Sequence, residues 1–272
     1  MPELPEVETI RRGLQPRILG RRIQEVRVRE HRLRWPVDPA LSTHLRGHRI
    51  EAVERRSKYL LLCLDNGNRL IVHLGMSGRL CLLGAQVPGG RHDHLDLTLD
   101  DAQMLRFHDP RRFGAVLCWP ADQASHPLLA GIGPEPFDDR FNGEYLFGKS
   151  RGRRAAIKNF LMDTHIVAGT GNIYASESLF QAGIRPARAA GRLSRAQFER
   201  LVVSVRAVLH RAIECGGTTL RDFAGAAGEA GYFQQDLFVY GRQGQPCRRC
   251  QTPIKRVIIA QRSSFYCPRC QC

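Results

Sequence analysis

Two groups of residues in this sequence are typed and spaced for chemistry. The first is a set of four cysteines, Cys247-x2-Cys250-x16-Cys267-x2-Cys270. Two close thiolate pairs, separated by a hairpin-length insert, close a tetrahedron around zinc. Four sulfurs leave no open position, so the spacing predicts one structural ion rather than a catalytic one. The insert reads as a hairpin. Ile254 to Ala260 is rich in strand formers, Gln261 to Ser264 turns, and Phe265-Tyr266 returns, which puts Arg262 at the tip. The second group opens the chain. Met1 precedes a small residue, so its removal is expected, exposing the secondary amine of Pro2. A free α-amine has a pKa of about 7.7–8, against about 10.4 for lysine. The positive end of a following helix lowers it further. Such an amine is nucleophilic at neutral pH and forms an iminium directly with an aldehyde. Glu3 is adjacent and suited to general acid or base work, and Glu6 to assisting through water. Taken alone, the same residues also describe an ordinary N-terminus that happens to contain proline.

The charge balance points to the partner. The 272 residues carry 41 Lys+Arg against 26 Asp+Glu, a formal +15. Such an excess suits a polyanion. It is clustered: seven basic and no acidic residues lie between Gly241 and Cys272, and five basic and no acidic residues between Lys149 and Lys158. Two such patches predict a phosphate-binding footprint. No apolar stretch approaches the ~18 residues of a membrane span, and no long basic amphipathic helix offers a membrane anchor. The opening MPELPEVETI lacks the basic-then-apolar pattern of a signal peptide, so the expected location is the cytoplasm. Hydrophobic residues make up 43%, enough for a packed core.

These residues need elements to position them. Residues 5–16 predict a helix, with Pro5 in the first turn and Val7, Ile10 and Leu14 on one apolar stripe. From about 21 to 119 the pattern is short strands. Asn66-Gly67 and Asp100-Asp101 mark tight turns between pairs of them, which predicts a β-sandwich or barrel. The Gly/Pro-rich segment 131–137 marks a boundary, and beyond it the chain reads as mostly helical. Ser194-x-x-Gln197 is a capping box that starts a helix, and Gly216-Gly217 stops it. Asn172 follows Gly169-Thr-Gly171 and opens another helix, in a position suited both to N-capping and to amides aimed at a phosphate. The glycines there lack the full P-loop pattern, so no nucleotide cofactor is expected.

The segments MPELPEVETIRRGL, His73-Leu-Gly-Met-Ser-Gly78, Asp109-Pro-Arg-Arg-Phe-Gly114, Gly171-Asn-Ile-Tyr-Ala-Ser-Glu177 and the cysteine ribbon together resemble the bacterial formamidopyrimidine-DNA glycosylase family. The matches run in order from the first residue almost to the last. The resemblance implies an α+β multidomain fold. Residues 1–134 form a catalytic β-sandwich domain with its N-terminal helix, 135–240 a helical helix–two-turn–helix DNA-binding domain, and 241–272 a β-hairpin zinc finger. It implies a monomeric DNA glycosylase and abasic-site lyase that takes oxidised purines from double-stranded DNA. Pro2 matches the family's nucleophile and Glu3 its catalytic acid. Lys58 matches a lysine near the damaged nucleotide. Met76, Arg111 and Phe113 match residues that fill the gap left by the flipped base. His73, Lys158, Asn172 and Arg262 match phosphate-contacting residues, and the resemblance also places Lys58 and Arg262 with Pro2 and Glu3 in the catalytic set. Glu177 is a candidate for interaction with the N-terminal site. The Gly/Ala-rich stretch from about Phe223 to Gly231 corresponds to the segment over the flipped base.

Residue types alone leave other readings open. By burial statistics Met76 and Phe113 are core residues, His73 is a packed strand histidine, and Glu177 is a solvated or capping acid. Two rival functions also stand: a sister glycosylase acting on oxidised pyrimidines, and a non-catalytic zinc-ribbon DNA-binding protein. The PELPEVET start, the DPRRFG segment and the long Gly-rich stretch favour the purine-directed type.

Overall fold

The structure, a computed structural model, describes residues 2–84, 87–217 and 237–272. The stretch 223–231 therefore lies outside the described residues, as does Met1. The chain forms two compact units. One contains residues 2–130 with 215–217, and the other 131–214 with 237–272.

The first unit begins with helix α1 (Leu4–Ile18). It starts one residue earlier than the sequence predicts and runs on past Pro16. The start is set by a reciprocal capping box. Glu3 is the N-cap, and the Glu6 carboxylate accepts the Glu3 N–H at 2.8 Å. Glutamate at the N-cap is uncommon, so this signal is easily overlooked in a sequence.

Eight strands follow: β1 (Ile23–Val28), β2 (Ile50–Arg56), β3 (Tyr59–Leu64), β4 (Arg69–His73), β5 (Arg79–Leu83), β6 (Asp93–Leu99), β7 (Met104–His108) and β8 (Ala115–Trp119). They pair antiparallel into two four-stranded sheets, ordered β1-β6-β7-β5 and β2-β3-β4-β8. The turns at Asn66-Gly67 and Asp100-Asp101 join β3 to β4 and β6 to β7 as expected. Gly67 takes φ +79°, the left-handed backbone that makes Asn-Gly a hairpin signal.

Inward residues of both sheets, among them Leu60, Leu62, Val72, Leu97, Leu105 and Phe107, share one core. Val7, Ile10, Leu14 and Ile18 of α1 join it. Each such side chain contributes about 1.5–3 kcal/mol on burial, which anchors α1 and the residues at its start. A second tie is polar. The Glu8 carboxylate binds Arg11 and Arg12 on its own helix and Arg55 on β2. Burial alone raises its pKa, but those guanidinium groups outweigh burial and hold it at about 2.

A short helix α2 (Leu41–Leu45) lies between β1 and β2 of the first unit, and the second unit is helical: α3 (Gly143–Ser150), α4 (Ile157–Met162), α5 (Asn172–Gln181) and α6 (Arg195–Glu214). The capping box before α6 forms as predicted, with Ser194 N–H donating to Gln197 Oε1 and Gln197 N–H to Ser194 Oγ. Gly216 and Gly217 follow that helix at φ +73° and +81°. The unit ends in a ribbon of β9 (Lys255–Ile259) and β10 (Arg262–Tyr266). Its turn is tighter than the sequence predicts. Ala260 and Gln261 alone make it, both at positive φ, so Arg262 opens β10 opposite Ile259. Neither residue is a glycine or asparagine, so the sequence carried no signal for that turn.

Candidate active site and nucleic-acid interface

The N-terminal pair is held in place. Pro2 is buried, and Glu3 is 2% exposed at the positive end of α1. Glu6, expected to assist through water, accepts the Glu3 N–H in the capping box. Gly217 lies in the same unit against Glu6. A Cβ there would come within 3.2 Å of the Glu6 side chain, at a φ of +81°. Only glycine suits that approach.

His73 ends β4, with its ring 4.9 Å from that of Tyr59. Burial, then the charges of Lys58 and Arg34, bring its pKa down to about 4. The ring is therefore neutral at physiological pH. Its Nδ1 accepts the Gly75 N–H at 3.1 Å, so the proton sits on Nε2. That leaves one uncharged donor for an acceptor such as a phosphate oxygen. Lys58 sits in the turn between β2 and β3.

Met76 and Phe113 are not core residues. Met76 is 40% exposed and Phe113 44% exposed, while Leu74, Ser77 and Asp109 of the same two turns are buried. They stand on two turns, 74–78 and 109–114. The Arg111 guanidinium lies 4.9 Å from the centre of the Phe113 ring. Two exposed apolar side chains beside a cation suit insertion between bases rather than packing against protein.

Three residues of the second unit have partners that the sequence did not predict. Lys158, expected at a phosphate, is 1% exposed. Its ammonium donates to Ser263 O at 3.0 Å and Ser264 Oγ at 2.6 Å, beneath the strand that Arg262 opens. Glu177 is neither solvated nor a cap. Its carboxylate accepts the N–H groups of Phe238, Val239 and Tyr240 at 2.8–3.0 Å. Burial raises its pKa, and those three bonds oppose the rise. Asn172 is the first helical residue of α5, and Gly171 is the N-cap. Asn172 Nδ2 donates to the Tyr240 hydroxyl at 3.3 Å, and its buried Oδ1 has no partner among the described residues.

Salt dependence separates Lys158 from Arg262. Each phosphate contact contributes roughly 0.9 to the log–log slope of affinity against salt. Arg262→Ala should flatten the slope by about that amount. Lys158→Ala should weaken binding but keep the slope, because its ammonium is committed to the ribbon. An equal flattening in both variants would put Lys158 back on the phosphates.

The four ribbon cysteines converge. Their sulfurs lie within 4.8 Å of one another, with separations of 3.4 Å for Cys250–Cys267 and 3.9 Å for Cys247–Cys270. Tetrahedral Zn–S bonds of about 2.3 Å require sulfurs about 3.8 Å apart, so the set fits zinc. Cys247 and Cys267 are fully buried and pack with Phe180, Val239 and Ile254.

Family models match in three consecutive blocks. Residues 1–116 match the formamidopyrimidine-DNA glycosylase N-terminal domain, 132–224 its H2TH domain, and 244–271 a zinc finger found in FPG and IleRS. The formamidopyrimidine-DNA glycosylase of Pseudomonas putida is 55% identical over 271 residues, covering 100% of both chains. The chain belongs to the formamidopyrimidine-DNA glycosylase family. Solved relatives agree along the whole length. The Lactococcus lactis Fpg bound to DNA containing an abasic site superposes with a TM-score of 0.92 at 35% identity, covering 99% of each chain. The same enzyme with a Fapy-dG containing DNA gives 0.90, again at 35% identity and 99% of each chain. The N-terminal sandwich, the helical region and the four-cysteine ribbon are thus those of a DNA glycosylase of base excision repair with one structural zinc. Among the described residues no helix is long and apolar enough to cross a membrane.

Proposed function

We propose that this chain removes oxidised purines, 8-oxoguanine and formamidopyrimidines, from double-stranded DNA and then cuts the strand at the abasic site by β,δ-elimination. The observation that carries this is the buried Pro2–Glu3 pair at the start of α1, in a chain that matches the P. putida enzyme end to end.

The chemistry follows from the residues. The Pro2 nitrogen attacks C1′ of the damaged nucleotide. The glycosidic bond breaks, and its electrons leave with the base, which takes up a proton. Glu3 donates a proton to the sugar ring oxygen as the ring opens, leaving an iminium between Pro2 and C1′. The cation acidifies the C2′ hydrogens. Loss of one expels the 3′ phosphate, and a second elimination expels the 5′ phosphate. Lys58 holds the damaged nucleotide. His73, Asn172 and Arg262 hold phosphates, and Lys158 supports them through the ribbon. Met76, Arg111 and Phe113 fill the gap left by the flipped base. The division of labour follows residues 1–134 for catalysis, 135–240 for DNA binding and 241–272 for the zinc finger. The protein acts as a single chain on DNA in the bacterial cytoplasm.

Borohydride trapping on a panel of lesion duplexes tests this reading. Covalent adducts should form, fastest with oxidised purines. Faster trapping with oxidised pyrimidines would assign the sister substrate class. An absence of adducts on every lesion would leave a DNA-binding protein without this chemistry.

Arg111→Ala should reduce discrimination for cytosine opposite the lesion more than it reduces general affinity. A good contact to a base edge is worth about 1–3 kcal/mol of discrimination, which phosphate contacts do not supply. Excision rates with each of the four opposite bases measure it. An equal loss across all four would make Arg111 a positioning charge.

A further inference from the structure

Asp109 is fully buried. It opens the turn 109–114 and gathers donors from two separate segments. Oδ1 accepts the Ser77 hydroxyl at 2.8 Å and the Arg111 N–H at 3.3 Å. Oδ2 accepts the Gly114 N–H at 2.8 Å. Its backbone is held too. The carbonyl accepts from His94 Nε2 at 2.7 Å, and the N–H donates to His92 O at 2.9 Å.

Ser77 belongs to the other turn, 74–78, and is itself buried. One carboxylate therefore bonds the turn that carries Met76 to the turn that carries Arg111 and Phe113. The backbones of the two turns also touch. A Cβ on Gly75, which takes φ +63°, would lie 2.4 Å from Phe113 C and 2.5 Å from Gly114 N. Met76 thus stands between a glycine pressed against the second turn and a serine bonded into it. Arg112, in the second turn, takes the left-handed φ of +55° that side chains rarely adopt.

Burying a carboxylate is costly unless its hydrogen bonds are made. A sandwich core gains no apolar contact from it. What the three bonds provide is a fixed spacing between the exposed side chains of the two turns. Wedges that separate stacked bases need that, because a loose side chain is pushed aside by the stack instead of opening it.

We infer that Asp109 is the positioning residue of the wedge, locking the two turns so that Met76, Arg111 and Phe113 enter the duplex as one rigid body. The inference rests on the wedge role proposed above for those three residues.

Two variants, a background without the wedge side chains and two readouts test it. Ser77→Ala removes the bond between turns and leaves the Asp109 bonds to Arg111 and Gly114. Asp109→Asn keeps the shape but cannot accept from all three donors. A 2-aminopurine beside the lesion reports unstacking, and rates on intact lesion and on preformed abasic DNA report the chemistry. Ser77→Ala should slow unstacking by about tenfold, the effect of one hydrogen bond to a charged group. Excision of the intact lesion should fall more than cleavage of the abasic strand, where no base is stacked. In a Met76→Ala/Phe113→Ala background Ser77→Ala should add nothing.

Normal unstacking in Ser77→Ala and Asp109→Asn, with slow unstacking in Met76→Ala/Phe113→Ala, would overturn the role of Asp109 and leave the wedge standing. An equal slowing by Ser77→Ala with and without the wedge would reduce Asp109 to a general stabiliser and overturn it as well. Normal unstacking in Met76→Ala/Phe113→Ala would remove the wedge reading itself.

Discussion

A form of the chain whose Pro2 nitrogen is blocked should bind lesion DNA and neither excise the base nor cut the strand. With Met1 attached, that nitrogen is a tertiary amide. Its lone pair is delocalised into the carbonyl, so it can neither attack C1′ nor form an iminium. Loss of a nucleophile that acts in concert with its partners lowers turnover by on the order of 10⁶-fold. DNA binding should persist, because the basic clusters at 149–158 and 241–272 are unchanged. Graded variants refine the test. Pro2→Gly keeps a free amine and should retain part of the activity. Glu3→Gln keeps an N-cap side chain but loses the proton, and should slow excision by about 10²–10⁴-fold. The measurement is borohydride trapping alongside intact mass of the N-terminus. If protein that fully retains Met1 traps and cleaves normally, Pro2 is not the nucleophile, and Lys58 becomes the candidate.

Zinc removal should abolish tight DNA binding and leave the sandwich folded. Ribbon folding depends on the metal, because structural zinc supplies about 10–16 kcal/mol in small finger peptides. The ribbon's own core is small: Cys247, Ile254 and Cys267 with Phe180 and Val239. Without metal nothing joins the two cysteine pairs, Arg262 loses its fixed position, and the strand bonded to Lys158 is released. Affinity should then drop toward the non-specific range, at least about 10³-fold weaker. The first unit has its own core and should keep its unfolding transition. Elemental analysis should find one zinc per chain in protein never exposed to chelator, and Cys250→Ser should reproduce the binding loss. Undiminished affinity in metal-free protein would make the ribbon dispensable for binding.

What could be read directly from the sequence is local. The cysteine spacing predicts its ligand set because thiolate pairs three residues apart meet one ion whatever surrounds them. Asn66-Gly67 predicts its hairpin, and Ser194-x-x-Gln197 its helix start, because the deciding bonds lie within three residues. Alternating strands predict the sandwich through burial of one face. Beyond this, naming Pro2, Glu3 and the exposed turns as functional required the resemblance to a family, since an N-terminal proline and two apolar turn residues have commoner explanations.

The destinations of buried polar side chains were settled only by tertiary structure. Lys158 reaches Ser263, 105 residues away, and donates to its backbone carbonyl. Glu177 reaches Phe238, 61 residues away, and meets three amides. Asp109 reaches Ser77 and joins two turns that the sequence presents as unrelated. A buried charge must find donors or acceptors wherever packing brings them, and packing is a property of the whole fold. Sequence specifies that such a group needs partners; only the assembled core decides which ones.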